Sequence, residues 1–191
     1  MNRSSSFLVA GYFCLGVLVI ILANGPVEAQ TNNLITGNSA GVIKLGMSAA
    51  KARRVARPLN ISKGQNVFEG DMLYRVTSGK KLVMTFIEYA KKITAIEVWD
   101  KSYQTAKGVS VGMSLRDLEK RYGRLKQIEN MLGEGGGPEG ESAIFTNQPK
   151  GIAFMVAVPG KRKQAGIYPD ADTTTTSKHH AGIYLKMIRV E

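Results

Sequence analysis

The residues best suited to bind another molecule lie in one long polar segment, 159–181. Its basic side chains would attract acidic groups, and its histidines titrate near neutral pH. A segment of this length without structure of its own is usually functional or disordered, and both alternatives stay open. Seven of its residues are the candidates for contact with a partner: Lys161, Arg162, Lys163, Tyr168, Lys178, His179 and His180.

The same segment does not have the pattern of a metal site. His179 and His180 are the only histidines of the chain, and neighbouring residues of an extended segment point in opposite directions. Asp170 and Asp172 lie upstream, but no third ligand accompanies both histidines. We therefore expect neither a metal ion nor a cofactor. A pH response of the two histidines is an alternative role.

A glycine-rich segment, 133–141, could be mistaken for a phosphate-binding loop. It contains Glu134, Glu139 and Glu141, which would repel a phosphate group. Its carboxylates also lack the alternating spacing of a calcium-binding loop. The sequence predicts a flexible hairpin loop here.

The residues that could catalyse a reaction are few. No serine lies in a nucleophile-elbow pattern, and both histidines lie in the segment expected to be least ordered. Glu88 and Glu97, on a predicted hairpin, could form an acid/base pair, although carboxylates facing water explain them more simply. We expect a protein that is not an enzyme. The alternative is a hydrolase of cell-envelope material that uses Glu88 or Glu97.

The beginning of the chain has the pattern of an export signal. Arg3 precedes an apolar run over 7–23, and small residues near Ala29 form a cleavage site. The single cysteine, Cys14, lies inside this run. We expect residues 1–29 to be a signal peptide, or an anchor if uncleaved, and the remainder to be periplasmic or extracellular. Contact with a membrane would then involve only this segment.

The charge of the chain narrows its partners. The formal net charge is +11, which favours an acidic protein or an anionic component of the cell envelope. Nucleic acid is not expected, because no basic motif interleaved with aromatic residues is present. A charge-driven binder of anionic envelope polymer is one alternative function.

A repeat fixes the elements that position these residues. The triplet Gly-Met-Ser occurs at 46–48 and at 112–114, each time before a basic amphipathic helix. The first helix is predicted to end near Arg57, before Pro58, and the second to span 115–122. Strands are predicted at 82–89 and 93–99, joined by a loop at 90–92, and at 182–190.

These elements predict an α+β protein made of two repeated units. Each unit has a strand and a helix followed by an antiparallel β-meander, with the helices packed on one face of the sheet. After a flexible lead-in at 30–40, the first unit covers 41–104. The second covers 105–191 and includes the long loop 159–181.

The two triplets, each followed by a helix and a meander, resemble a known superfamily. It contains the β-lactamase inhibitor protein and a small outer-membrane assembly lipoprotein. The resemblance implies a concave sheet with helices on its back, although the disulfides of the inhibitor have no counterpart after residue 29. Together with the sequence, it favours an exported, non-catalytic binding protein, inhibitor-like or accessory to the envelope, whose partner is unknown.

Overall fold

The computed structural model describes residues 33–66, 70–130, 140–160, 164–170 and 173–191. The predicted export signal and the three cations Lys161, Arg162 and Lys163 lie outside these ranges, as do Glu134, Glu139 and Asp172. The described residues form two helices, α1 (Ala49–Val55) and α2 (Leu115–Tyr122). The strands are β1 (Leu34–Thr36), β2 (Ser39–Ala40), β3 (Ile43–Lys44), β4 (Asn60–Asn66), β5 (Asp71–Ser78), β6 (Lys81–Tyr89), β7 (Lys92–Val98), β8 (Gln104–Thr105), β9 (Leu125–Asn130), β10 (Glu141–Phe145), β11 (Ile152–Ala157), β12 (Thr175–Thr176) and β13 (Tyr184–Val190).

Most of the strands belong to one large antiparallel sheet. Nine of them follow the order β12-β9-β10-β11-β13-β7-β6-β5-β4. The other four form a small sheet in the order β3-β2-β1-β8, in which β1 and β8 are parallel. The protein is therefore an α+β fold dominated by antiparallel sheet, as the sequence predicts.

The hydrophobic core contains residues of both helices and of the large sheet. Ala52 of α1, Leu118 of α2, and Phe86, Phe154 and Ile188 of the sheet are fully buried members of one cluster. Side chains alternate along a strand, and Met84, Phe86, Ile96 and Val98 of β6 and β7 point to the side of this cluster. We call that side the core face and the opposite side the outer face.

The predicted hairpin is present, and its register is the one that a three-residue loop at 90–92 implies. Phe86 pairs with Ile96 and Met84 with Val98, which places all four in the core. The connection differs from the prediction, because β7 begins one residue earlier, at Lys92. Positive φ angles at Ala90 and Lys91 form a two-residue turn, and a bulge after Ile87 restores the register.

The two Gly-Met-Ser triplets make matching hydrogen bonds. At 46–48, the Gly N–H donates to the carbonyl of Ile93, and the Met carbonyl accepts the N–H of Ile93, both at 2.8 Å. At 112–114 the same two bonds, also 2.8 Å long, join the triplet to Leu185. The serine of each triplet then accepts a backbone N–H in the first turn of its helix, as an N-cap does. Each triplet thus fastens the start of a helix to a strand.

The long segment 159–181 is more ordered than predicted. Within it, β12 pairs with β9, the Ile167 N–H donates to the Lys178 carbonyl at 2.9 Å, and the His180 N–H donates to the Ala165 carbonyl at 3.0 Å. The expectation of a segment without structure of its own is therefore wrong for its described residues. The sequence did not reveal this order because the bonds are made by the backbone.

Candidate functional site

The two carboxylates considered for catalysis lie on opposite faces of the sheet. Glu88 accepts the N–H of Ala49, at the first turn of α1, at 2.8 Å, and the Tyr74 hydroxyl at 3.1 Å. Glu97 instead accepts the hydroxyl of Thr85 on the outer face, at 2.7 Å. Glu97 pairs with Thr85, three residues before Glu88 on β6, so the alternation of side chains along the strand produces this difference. The structure therefore does not bring Glu88 and Glu97 together as an acid/base pair.

Glu97 belongs to a polar network at the middle of the outer face. Thr85 links Glu97 to Trp99, because the Thr85 hydroxyl also accepts the indole N–H of Trp99, at 3.2 Å. Across the seam between β7 and β13, Arg189 Nη1 lies 4.0 Å from Glu97 Oε1, and Arg189 Nε lies 2.7 Å from a carboxylate oxygen of Glu191. Glu97 Oε1 is buried and accepts no hydrogen bond from the described residues. The network thus contains one buried acceptor without a hydrogen bond from this part of the chain.

Apolar side chains flank this network. Met155 pairs with Met187 across β11 and β13, and both are buried but lie outside the core cluster. Ala95, two residues before Glu97, is also buried outside that cluster. Lys186 Nζ lies 5.9 Å from the centre of the Trp99 ring, at the edge of this group. The centre of the outer face thus combines buried apolar side chains with a network of polar and charged ones.

Tyr168 points into the protein rather than toward a partner. Its hydroxyl donates to Glu141 Oε1 at 2.7 Å, and the same carboxylate accepts the N–H groups of Gly166, at 2.8 Å, and of Ala165. Burial, followed by the hydrogen bond and the charge of Glu141, raises the pKa of Tyr168 above its ordinary value. The prediction that Tyr168 contacts a partner is not supported by this geometry.

Glu141 has a structural role that the sequence did not reveal. It was expected in a flexible loop, but it is the first residue of β10 and is only 3% exposed. It anchors residues 165–168 to the sheet. Its sequence neighbours, Gly140 and Ser142, gave no sign of this role because its partners are mostly backbone N–H groups 24 or more positions away.

The predicted histidines border an open cleft beside α2. A space of about 480 Å³ adjoins another of about 340 Å³, and both are lined by Glu119 and His179. His179 Nδ1 lies 3.1 Å from the carbonyl oxygen of its neighbour, His180, which lines the smaller space. Lys178 lies next to His179 and is exposed. The structure therefore places two of the predicted contact residues, His179 and His180, at this cleft.

The cleft is basic. Three basic residues line it: Arg116, Arg124 and Lys126. None of their side chains forms an ion pair or a hydrogen bond with a described residue. Its one carboxylate, Glu119, accepts the backbone N–H of Leu125 at 3.1 Å. An anionic group in the cleft would therefore meet three cationic side chains that have no partner among the described residues.

Two further properties of the described residues bear on function. No three His, Cys, Asp or Glu side chains among them lie close enough together to hold a metal ion. None of the helices in the same ranges has the length and apolar character needed to span a bilayer.

Comparison with known proteins identifies the fold but no family. No family model and no curated protein matches the sequence. Among solved structures, the chain is similar to YfeY from Escherichia coli, an uncharacterized protein, with a TM-score of 0.55 and 15% sequence identity. The match covers 82% of this chain and 98% of YfeY. At this identity the likeness concerns the fold alone.

Proposed function

We propose that this chain is an exported, non-catalytic binding protein that contacts a partner protein through the outer face of its large sheet. The observation that carries the proposal is the group of Trp99, Lys186 and Arg189, which keep exposed surface around the β7–β13 seam above the buried Met155 and Met187. Aromatic residues, Met and Arg are enriched where proteins meet, and Trp and Arg contribute most often to binding energy.

The arrangement of the fold supports this proposal. We infer that the chain consists of two units, each with one helix on the core face. The last strands that the two units contribute to the large sheet, β7 and β13, pair with each other at the seam. Each triplet hydrogen-bonds to the one of these strands that belongs to its own unit. The helices then contribute to the core and leave the outer face to a partner.

The polar network would give such an interface its specificity. Arg189 keeps 22% of its side chain exposed beside Glu97, and a partner that covers it without offering an acceptor would leave a guanidinium N–H unpaired. An unpaired buried polar group is costly, so the network would reject poorly matched surfaces more strongly than an apolar patch would.

Affinity capture from the native exported fraction tests the proposal. The bait is the full chain with a C-terminal tag, and Trp99→Ala and Lys186→Glu are the variants on the outer face. Tyr89→Ala and Lys92→Glu are matched controls, because they remove an exposed aromatic residue and reverse an exposed charge at the β6–β7 turn.

We expect the outer-face variants to weaken capture of a specific partner by about ten-fold or more, while the controls retain it. Equal capture by all four variants, with unchanged thermal unfolding, would refute the role of the outer face. Turnover of an envelope glycan that disappears in Glu97→Gln would favour the hydrolase instead.

A second candidate function rests on the basic cleft beside α2. Its three unpaired cations favour an anionic envelope polymer as ligand. This binding should fall steeply with added salt and should weaken in Arg124→Gln, whereas capture through the outer face should be less sensitive to salt. Binding of a polymer that is unchanged by salt would exclude the cleft as an electrostatic site.

A further inference from the structure

The strand β4 leaves one edge of the large sheet open. It is the final strand in the sheet order and pairs only with β5 within the described residues. It has seven residues, of which six are exposed. An edge strand of this length offers a row of backbone N–H and C=O groups to any extended chain that can approach it. At the opposite edge, β12 has only two residues.

The surroundings of β4 are basic to an unusual degree. Residues 33–66 contain six Lys or Arg residues and no Asp or Glu. Lys63 lies on β4 itself, and Lys51, Arg54 and Arg57 are exposed on or directly after α1. None of these four side chains forms an ion pair or a hydrogen bond with a described residue. Their charge is therefore free to act on a partner.

α1 is held against this edge by Arg53. Its Nε donates to the carbonyl of Ile61 on β4 at 3.4 Å, and its guanidinium carbon lies 5.4 Å from the centre of the Tyr74 ring on β5. The nearby carboxylate of Glu88 is already bound to the start of α1 and to the Tyr74 hydroxyl. The helix thus places cations beside the open edge, and the one described carboxylate on α1, β4 or β5, that of Asp71, lies at the far end of β5, beyond the last β4–β5 pair.

The charge decides which chain fits the edge. A second copy of β4 would bring Lys63 and the cations of α1 close to their own copies, and like charges facing each other across strands are destabilising. An acidic segment would instead complement them. We propose that β4 receives an extended acidic segment of a partner protein as an additional strand, with carboxylates near Lys51, Arg54 and Arg57. This site is separate from the outer face and does not depend on it.

Binding of two synthetic peptides tests the proposal. Both carry a fluorophore and five glutamates; one alternates glutamate with valine, and the other has proline in place of the valines. Proline keeps the charge but removes the N–H groups that a paired strand needs. We expect the valine peptide to bind the full-length protein about ten-fold or more tightly in fluorescence anisotropy, and to slow hydrogen exchange at 60–66.

Two triple variants separate a local site from general attraction. The first is Lys51→Gln, Arg54→Gln and Arg57→Gln. The second, Arg116→Gln, Lys120→Gln and Lys126→Gln, removes the same net charge around α2. Three weak ion pairs together correspond to about ten-fold in affinity, so the first variant should lose about that much and the second should retain binding.

Several results would overturn the proposal. Equal binding of the two peptides would exclude strand addition, and so would unchanged hydrogen exchange at 60–66. Equal losses in the two triple variants would assign the binding to net charge alone. No binding of either peptide would exclude the site, and thermal unfolding of both variants shows that they remain folded. Because the outer-face residues are untouched, failure here leaves the capture experiment unaffected.

Discussion

Replacement of Glu141 should release the segment that it anchors. Its buried carboxylate accepts the N–H groups of Ala165 and Gly166 and the hydroxyl of Tyr168. A hydrogen bond to a charged group contributes about 1.5–3 kcal/mol, but three bonds to one carboxylate are not additive. Since Glu141→Ala also leaves buried N–H groups unpaired, we expect the free energy of unfolding to fall by about 3–5 kcal/mol.

Two further variants show whether the carboxylate itself is responsible. Glu141→Gln keeps one acceptor oxygen but replaces the other with an amide that cannot accept, so we expect a loss of about 1–3 kcal/mol. Glu129→Gln is the matched control on the neighbouring strand β9. Its carboxylate is half-buried and accepts an amide N–H from Gln127, so its replacement should change stability by about 0.5 kcal/mol or less.

Denaturant unfolding and native-state hydrogen exchange measure the two parts of this effect. The fluorescence of Trp99, the only tryptophan, reports global unfolding. The amides of Ala165 and Gly166 report release of the segment, and they should exchange faster in Glu141→Ala than in the wild type. The reasoning is refuted if both amides exchange at the wild-type rate and the free energy of unfolding is unchanged.

Three other substitutions give separate tests. Tyr168→Phe should reduce alkaline destabilisation: because the folded pKa of Tyr168 is raised, the unfolded tyrosine loses its proton first, and stability falls as pH rises above about 10. Denaturant titrations from pH 9 to about 11.5 would show a smaller slope in this variant. Ser114→Ala removes the cap of α2 and should cost about 1 kcal/mol, measured by thermal unfolding, whereas Ser114→Thr should cost less. Burial opposes ionisation of Asp100, but hydrogen bonds from Lys81 and Ser102 outweigh it and lower its pKa. This stabilisation is present above about pH 4 and lost as pH falls through the folded pKa, so Lys81→Met should weaken the loss between about pH 4 and pH 2 in acid titrations.

Local patterns in the sequence predicted the parts of the fold that depend on near neighbours. The three-residue loop predicted at 90–92 pairs Phe86 with Ile96, and the structure has this register because the bulge after Ile87 compensates for a turn that is one residue shorter. The serine that caps each helix could also be predicted, because a cap bonds to a backbone N–H within the first turn. The two triplets that the sequence singled out make matching backbone bonds, one to Ile93 and the other to Leu185.

Contacts between distant segments were not predictable in this way. Glu141 binds N–H groups that every residue except proline possesses, so its partners carry no pattern in the sequence. A charged residue beside glycines is usually solvated, and only the fold shows it buried. The separation of Glu88 and Glu97, in contrast, follows from the hairpin register: Glu97 pairs with Thr85, three residues before Glu88, so alternation along β6 places the two carboxylates on opposite faces.

The position of β13 has a consequence for how the chain folds. This strand pairs with β11 on one side and β7 on the other, and Ile188 meets Val98 across 90 positions of sequence. Pairings between such distant residues form late, because the intervening chain must first give up much of its entropy. Until β13 inserts, β11 and β7 each present a bare hydrogen-bonding edge in the middle of the future sheet, and such edges promote aggregation. Its insertion therefore both completes folding and protects the protein from misassembly.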